Sequence, residues 1–99
     1  MIYKVDWTFL AKISYIEEID FIYLKWNLKE VEKFEQLTNI EINRLSKNPK
    51  IGKFENNLFS IVISKQTTLF YRIMEETSSI ELIVFWNNQK NPEELKNLL

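Results

Sequence analysis

The sequence contains no cysteine and no histidine. Without histidine there is no Ser-His-Asp or Cys-His nucleophile system, and no His-ligated zinc or iron. Without cysteine, disulfides, thiolate chemistry and Cys-bound metals are excluded as well. Glycine occurs once and proline twice, so sharp turns are few and long regular elements should dominate. Only two of the thirteen cations are arginines, Arg44 and Arg72, which leaves few bidentate clamps for phosphate. No apolar run approaches the ~20 residues of a membrane span. Residues 1–7 alternate charge and bulk, where a signal peptide has a basic head and an apolar body. The expectation is a cytoplasmic protein with no metal and no cofactor.

What the sequence has in quantity is rings. Seven Phe, four Tyr and three Trp stand among 99 residues, and such rings supply much apolar area to a small core. With 45% hydrophobic and 27% charged residues the composition is that of one ordinary globular domain, spanning 1–99. A net charge of −1 is a weak footprint for a nucleic-acid binder, which usually carries a basic domain. The charge is unevenly spread, however. Residues 17–41 hold seven acids and three lysines, whereas residues 44–53 hold four cations and no acid.

The pattern along the chain gives the element order β-α-α-β-β-β-α. Residues 2–7 are rich in β-formers, and Thr8 is placed to cap a helix by accepting from a free first-turn amide. Ile13, Ile16, Ile19, Ile22, Tyr23 and Trp26 recur in steps of three and four, which predicts a buried stripe with Glu17, Glu18 and Lys25 turned outward. Asn27 to Glu30 reads as a capping box. Val31, Phe34, Leu37, Ile42 and Leu45 then carry a second helix to about Ser46, so the two helices form an αα-hairpin. Asn48-Pro49 stops it, because the residue before proline is pushed out of the α region. Ile51-Gly52 and Asn56-Asn57 mark a loop. The period then changes: LFSIVIS at 58–64, TTLFYRIM at 67–74 and SIELIVFW at 79–86 are strand-length runs joined by two short turns. They predict an antiparallel meander. A polar loop at 87–91 leads to Pro92 and a short helix over 93–98. The fold class is α+β, an antiparallel sheet packed against the αα-hairpin.

The candidate functional residues are few. The carboxylates at 17–20 and 30–32 lack the spacing of a calcium loop and read as solvated helix faces. Arg44, Lys47, Lys50 and Lys53 form the concentrated basic segment, suited to an acidic partner or to capping the negative end of a helix. Arg72 lies inside a strand and needs a cross-strand acid such as Glu81, or an open groove. Trp86, at its strand's end, reads either as core or as an anchor for a partner.

Four segments taken in order resemble the RelE/ParE family, the toxins of bacterial type II toxin–antitoxin modules. They are Tyr3-Lys4-Val5-Asp6-Trp7-Thr8, the stretch from Arg44 to Gly52 with its Leu45 and Asn48-Pro49, Leu69-Phe70-Tyr71-Arg72-Ile73, and Asn91-Pro92-Glu93-Glu94-Leu95. The resemblance implies a sheet-and-hairpin fold, a cognate antitoxin as partner, and one of two targets. RelE-like members cut mRNA on the ribosome with basic residues on the sheet; ParE-like members poison DNA gyrase and lack that set. The family's sheet cations fall here at Ser60, Val62 and Thr68, and a loop arginine falls at Gln89. None of these is basic, and the nearest cations are Lys65 and Lys90. A phosphorane needs fixed positive charge. The expectation is therefore a ParE-like toxin with no catalytic residue, with the nuclease and a non-toxic antitoxin-binding module as alternatives.

Overall fold

The computed structural model describes residues 2–98. The chain runs β1 (Lys4–Trp7), α1 (Phe9–Lys25), α2 (Leu28–Lys47), β2 (Lys53–Glu55), β3 (Leu58–Ser64), β4 (Thr67–Met74), β5 (Ser79–Asn87) and α3 (Pro92–Leu98). Single 3-10 turns lie at Pro49–Ile51 and Glu75–Thr77. One five-stranded sheet has the order β1-β5-β4-β3-β2. The α+β class and the antiparallel meander β3-β4-β5 are as the sequence predicts.

Two features modify the expected sheet. β1 lies parallel to β5, Val5 opposite Ile80, so the sheet is mixed and not wholly antiparallel. The αα-hairpin and the meander separate the two strands in the chain, a connection long enough to permit parallel pairing. The second feature is β2, three residues that hairpin onto β3. Asn56 and Asn57 both have positive φ (54° and 66°), the left-handed pair that a two-residue turn of this hand requires.

The helix ends follow local chemistry. The Thr8 hydroxyl accepts the Ala11 amide at 3.0 Å and donates to the Leu82 carbonyl at 2.7 Å, tying the start of α1 to β5. Asn27 caps α2 by accepting the Glu30 amide at 3.0 Å. Pro49 then ends the run, with Asn48 outside the helical region.

Leu69, Tyr71, Ile80, Leu82 and Phe85 form the inner face of the sheet and meet Ala11 and Ile22 of α1 and Val31, Phe34 and Leu45 of α2. Trp7, Tyr15, Phe34 and Phe85 pack as a ring cluster with centroids 5.0 to 5.6 Å apart. Such pairs add to the area they bury.

The rotation of α1 differs from the predicted stripe. Its buried residues are Ala11, Ser14, Glu18 and Ile22, while Ile13, Ile16, Tyr23 and Trp26 are exposed. Apolar side chains run almost all round this helix, so spacing alone selects no face. Polar anchors select it. The Ser14 hydroxyl accepts the Phe85 amide at 2.9 Å, beside the point where the β4–β5 register slips. Glu18, expected in solvent, is buried and accepts from Thr67 at 3.2 Å and Asn87 at 3.4 Å.

Candidate functional site

Strand alternation puts Leu69 and Tyr71 in the core, and so Thr68, Phe70 and Arg72 on the opposite, outer face of the sheet. Register carries that face across the neighbours. Lys53 stands opposite Ser60, Ser60 opposite Phe70, and Phe70 opposite Val84. One row on, Val62 stands opposite Thr68 and Thr68 opposite Trp86. The three positions at which the family resemblance places sheet cations, Ser60, Val62 and Thr68, thus share one surface. All three side chains are uncharged.

Three cations on this face, Arg72, Lys53 and Lys4, are held by acids. Arg72 meets Glu81 directly across the strand pair at 3.2 Å, the partnership expected of it. Lys53 pairs with Glu55 at 3.1 Å, and Lys4 pairs with Asp6 at 3.6 Å. These are solvated pairs, each worth roughly 0–1 kcal/mol, so they shape the field more than the stability. The result is little net charge from these three positions.

α3 returns over one end of this surface. Leu98 lines a cavity of about 430 Å³ together with Arg72, Ile83, Leu58, Asn56 and Asn57. Among the described residues of its wall, Arg72 alone is charged. The cavity therefore offers a polar floor with an apolar side.

At the other end lies the loop after β5. Trp86 is buried, 6% exposed, which withdraws it as a direct anchor for a partner: its ring is already spent on packing. The Lys90 ammonium sits 5.5 Å from its centroid, a cation–π contact. The Gln89 backbone N–H donates to Asn87 Oδ1 at 2.9 Å, and the Asn88 side chain accepts from Thr68 at 2.9 Å while donating to the Lys65 carbonyl at 3.1 Å. These bonds fasten the loop to the β3–β4 turn, bringing Lys65, Gln89 and Lys90 to one end of the sheet. Beneath them is Glu18. Burial raises the pKa of its carboxyl, while the Thr67 bond, the Lys90 charge and the Asn87 bond draw it back down.

The basic segment at 44–53 is less concentrated in space than in sequence. Arg44 is bound by Glu41, one guanidinium nitrogen reaching both carboxylate oxygens at 2.9 Å. Lys53 belongs to the outer face. Among the described residues, Lys47 and Lys50 alone of the four have no ion pair. No group of three acidic, His or Cys residues able to hold a metal occurs among the described residues. No helix there is long and apolar enough to cross a membrane.

Sequence reasoning missed Ser14, Glu18 and the Asn87–Asn88 loop clasp. Only the last left a signal, the asparagine-rich run after the final strand.

No protein-family model matches the sequence, and no curated protein matches it significantly. Solved structures do resemble it. The toxin–antitoxin complex RelBE2 of Mycobacterium tuberculosis gives a TM-score of 0.61 at 18% identity, over 89% of this chain and 100% of that one. The intact E. coli RelBE toxin–antitoxin complex gives 0.60 at 15% identity, over 89% and 99% of the two chains. A mutant of the E. coli toxin RelE in the free state gives 0.61 at 17% identity, over all of both chains. These likenesses do not separate a ParE-like branch from a RelE-like one. The chain has the fold of the RelE toxins.

Proposed function

We propose that this protein is the toxin of a type II toxin–antitoxin module. It is held by a cognate antitoxin and acts by gripping a macromolecular target with its outer sheet face. The fold likeness to RelE, alone and with antitoxin, supports the module. One observation carries the mode of action: where a nuclease of this fold would need fixed cations, Ser60, Val62, Thr68 and Gln89 are neutral, and Arg72, Lys53 and Lys4 are each matched by an acid. Such a face stabilises little negative charge in a transition state. It suits a protein surface, and DNA gyrase is the target that the ParE-like resemblance implies.

A second reading has its own support. The similar structures are RelE toxins, and Lys65 and Lys90 stand at the end of the same sheet with no ion pair among the described residues, Lys90 near the buried Glu18. A ribosome-dependent mRNA endonuclease using these lysines is the alternative.

Induced expression, with and without the adjacent small reading frame, tests both. Growth arrest with DNA breaks and filamentation, relieved by the adjacent frame, is the expected result. Rapid translation arrest with mRNA cut in the ribosomal A site overturns it for the nuclease. Normal growth on induction overturns the toxin reading altogether.

A further inference from the structure

The outer surface of α1 is a broad apolar strip left exposed among the described residues. Phe9 is 78% exposed, Ile13 39%, Ile16 54%, Tyr23 56% and Leu24 83%. At 100° per residue these five fall within one continuous strip of the helix, turned away from Ala11, Ser14, Glu18 and Ile22, which are buried. Together they present on the order of 600 Å² to water, the size of the largest patch that a typical monomer tolerates. A helix that is apolar on both sides is ordinarily buried on both.

The charges on and beside this strip are Lys12 at one edge, Glu17 at the other and Asp20 between them, and Lys12 and Asp20 are placed symmetrically about Ile16. Lys12 lies one helical turn before Ile16, and Asp20 lies one turn after it. Phe9 and Tyr23 are equally far from Ile16 on either side. If a second α1 crosses the first antiparallel at Ile16, Ile16 meets its own copy and Phe9 comes level with the partner's Tyr23. Lys12 then comes level with the partner's Asp20, twice by symmetry. A crossing centred at Ile13 sets Asp20 level with the partner's Asp6, just beyond the helix, and one centred at Asp20 sets the two Asp20 carboxylates together. Of these crossings, the one at Ile16 sets Lys12 level with an opposite charge and Phe9 level with a ring.

We infer that the exposed face of α1 is a self-complementary docking surface for a second copy of this chain, forming a two-fold dimer with antiparallel α1 helices. The interface is isologous, so each contact occurs twice. Both copies together bury on the order of 1,200 Å², the lower end of the range for specific association, which implies a reversible dimer. It lies across the molecule from the outer sheet face, because α1 packs on the inner one. Dimerisation therefore leaves the proposed target surface free. This inference stands apart from the toxin reading and survives its failure.

Sedimentation equilibrium of the purified full chain over a concentration series tests it. The expected result is a monomer–dimer equilibrium that Ile16→Glu shifts to monomer, with the thermal transition unchanged because Ile16 is half exposed. Charge reversal supplies the specific readout. Lys12→Glu alone and Asp20→Lys alone should each weaken the dimer about tenfold or more, whereas the double reversal should restore it to within about threefold. A monomer at all concentrations up to about 1 mM overturns the inference, including where a different protein takes up the α1 face. So does a dimer indifferent to Ile16→Glu, or one that the double reversal fails to rescue.

Discussion

Gly52, the sole glycine, donates its amide to the Tyr71 hydroxyl at 3.1 Å. That hydroxyl in turn donates to the Pro49 carbonyl at 2.7 Å. The segment that follows α2 is thereby clamped onto the centre of the sheet. Gly52 has an ordinary negative φ, so its need for glycine comes from proximity, not from backbone conformation. A Cβ there would fall on Tyr71 Oη and 2.6 Å from the Ser60 carbonyl oxygen.

Gly52→Ala should therefore destabilise the fold by about 1–3 kcal/mol through overpacking. Tyr71→Phe should cost about 1–3 kcal/mol, because it strands the Gly52 amide and the Pro49 carbonyl. The double variant should cost less than the sum, since removing the hydroxyl removes part of the clash. Urea unfolding of the four proteins measures the cycle. Burial raises the Tyr71 pKa above its ordinary 10.0, and the Gly52 amide partly offsets this. The folded state thus keeps this proton longer than the unfolded one does. Stability should fall as pH rises from about 10 toward the raised pKa, and Tyr71→Phe should flatten that fall.

Glu18 gives a pH dependence of the same sign in the acid range. Burial is the main cause of its raised pKa, so the folded chain holds the proton above the ordinary glutamate value of 4.5. Between the unfolded and folded pKa values the folded state binds more protons, and its contribution to stability declines as pH rises. A carboxylate held by a salt bridge would do the reverse. Glu18→Gln should remove this slope and leave the protein at least as stable at neutral pH. Glu18→Ala should cost about 1–3 kcal/mol by stranding Thr67 and Asn87. Thermal melts from pH 4 to 8 check both, and a wild-type slope unchanged by Glu18→Gln would refute the assignment.

Much of this architecture was readable from periodicity and punctuation. Thr8, Asn27 and Asn48-Pro49 set the helix ends, because each acts through its own backbone neighbours. Arg72 with Glu81 was readable too, since a cation inside a strand requires an acid opposite. What failed depended on distant partners. β2 is three residues long and shows no alternation; only its Asn56-Asn57 turn hints at a hairpin. Which side of α1 faces inward was set by Ser14 meeting an amide seventy-one residues away, at a strand irregularity invisible in the sequence. Glu18 looked like solvent-facing charge because its two partners lie on β4 and β5. The resemblance picked out Ser60, Val62 and Thr68 as uncharged positions, but that they share one surface needed the register.

The basic segment now divides into paired and unpaired halves. Arg44 and Lys53 have acid partners, so their reversal should alter partner binding little. Lys47 and Lys50 are exposed and free of ion pairs among the described residues. If an acidic partner docks there, Lys47→Glu with Lys50→Glu should slow association about tenfold and flatten its salt dependence. Surface plasmon resonance against the product of the adjacent reading frame, at several salt concentrations, reads both effects. Association indifferent to the double reversal would leave these lysines as solvated surface.

Arg72 separates a structural role from a target-binding one. Its bond to Glu81 is solvent-exposed, so Arg72→Ala should change stability by no more than about 1 kcal/mol. Its guanidinium also walls the cavity under Leu98, on the face proposed to grip the target. Arg72→Ala should then reduce growth inhibition about tenfold or more while the melting temperature barely moves. Arg72→Lys keeps the charge but loses the planar fork, so it should recover only part of the activity. Glu81→Gln isolates the partner: it frees the guanidinium without removing it, and inhibition should persist. Growth assays beside thermal melts of the three variants decide the matter. Inhibition undiminished in Arg72→Ala would move the target contact away from this cavity and toward the Lys65–Lys90 end of the sheet.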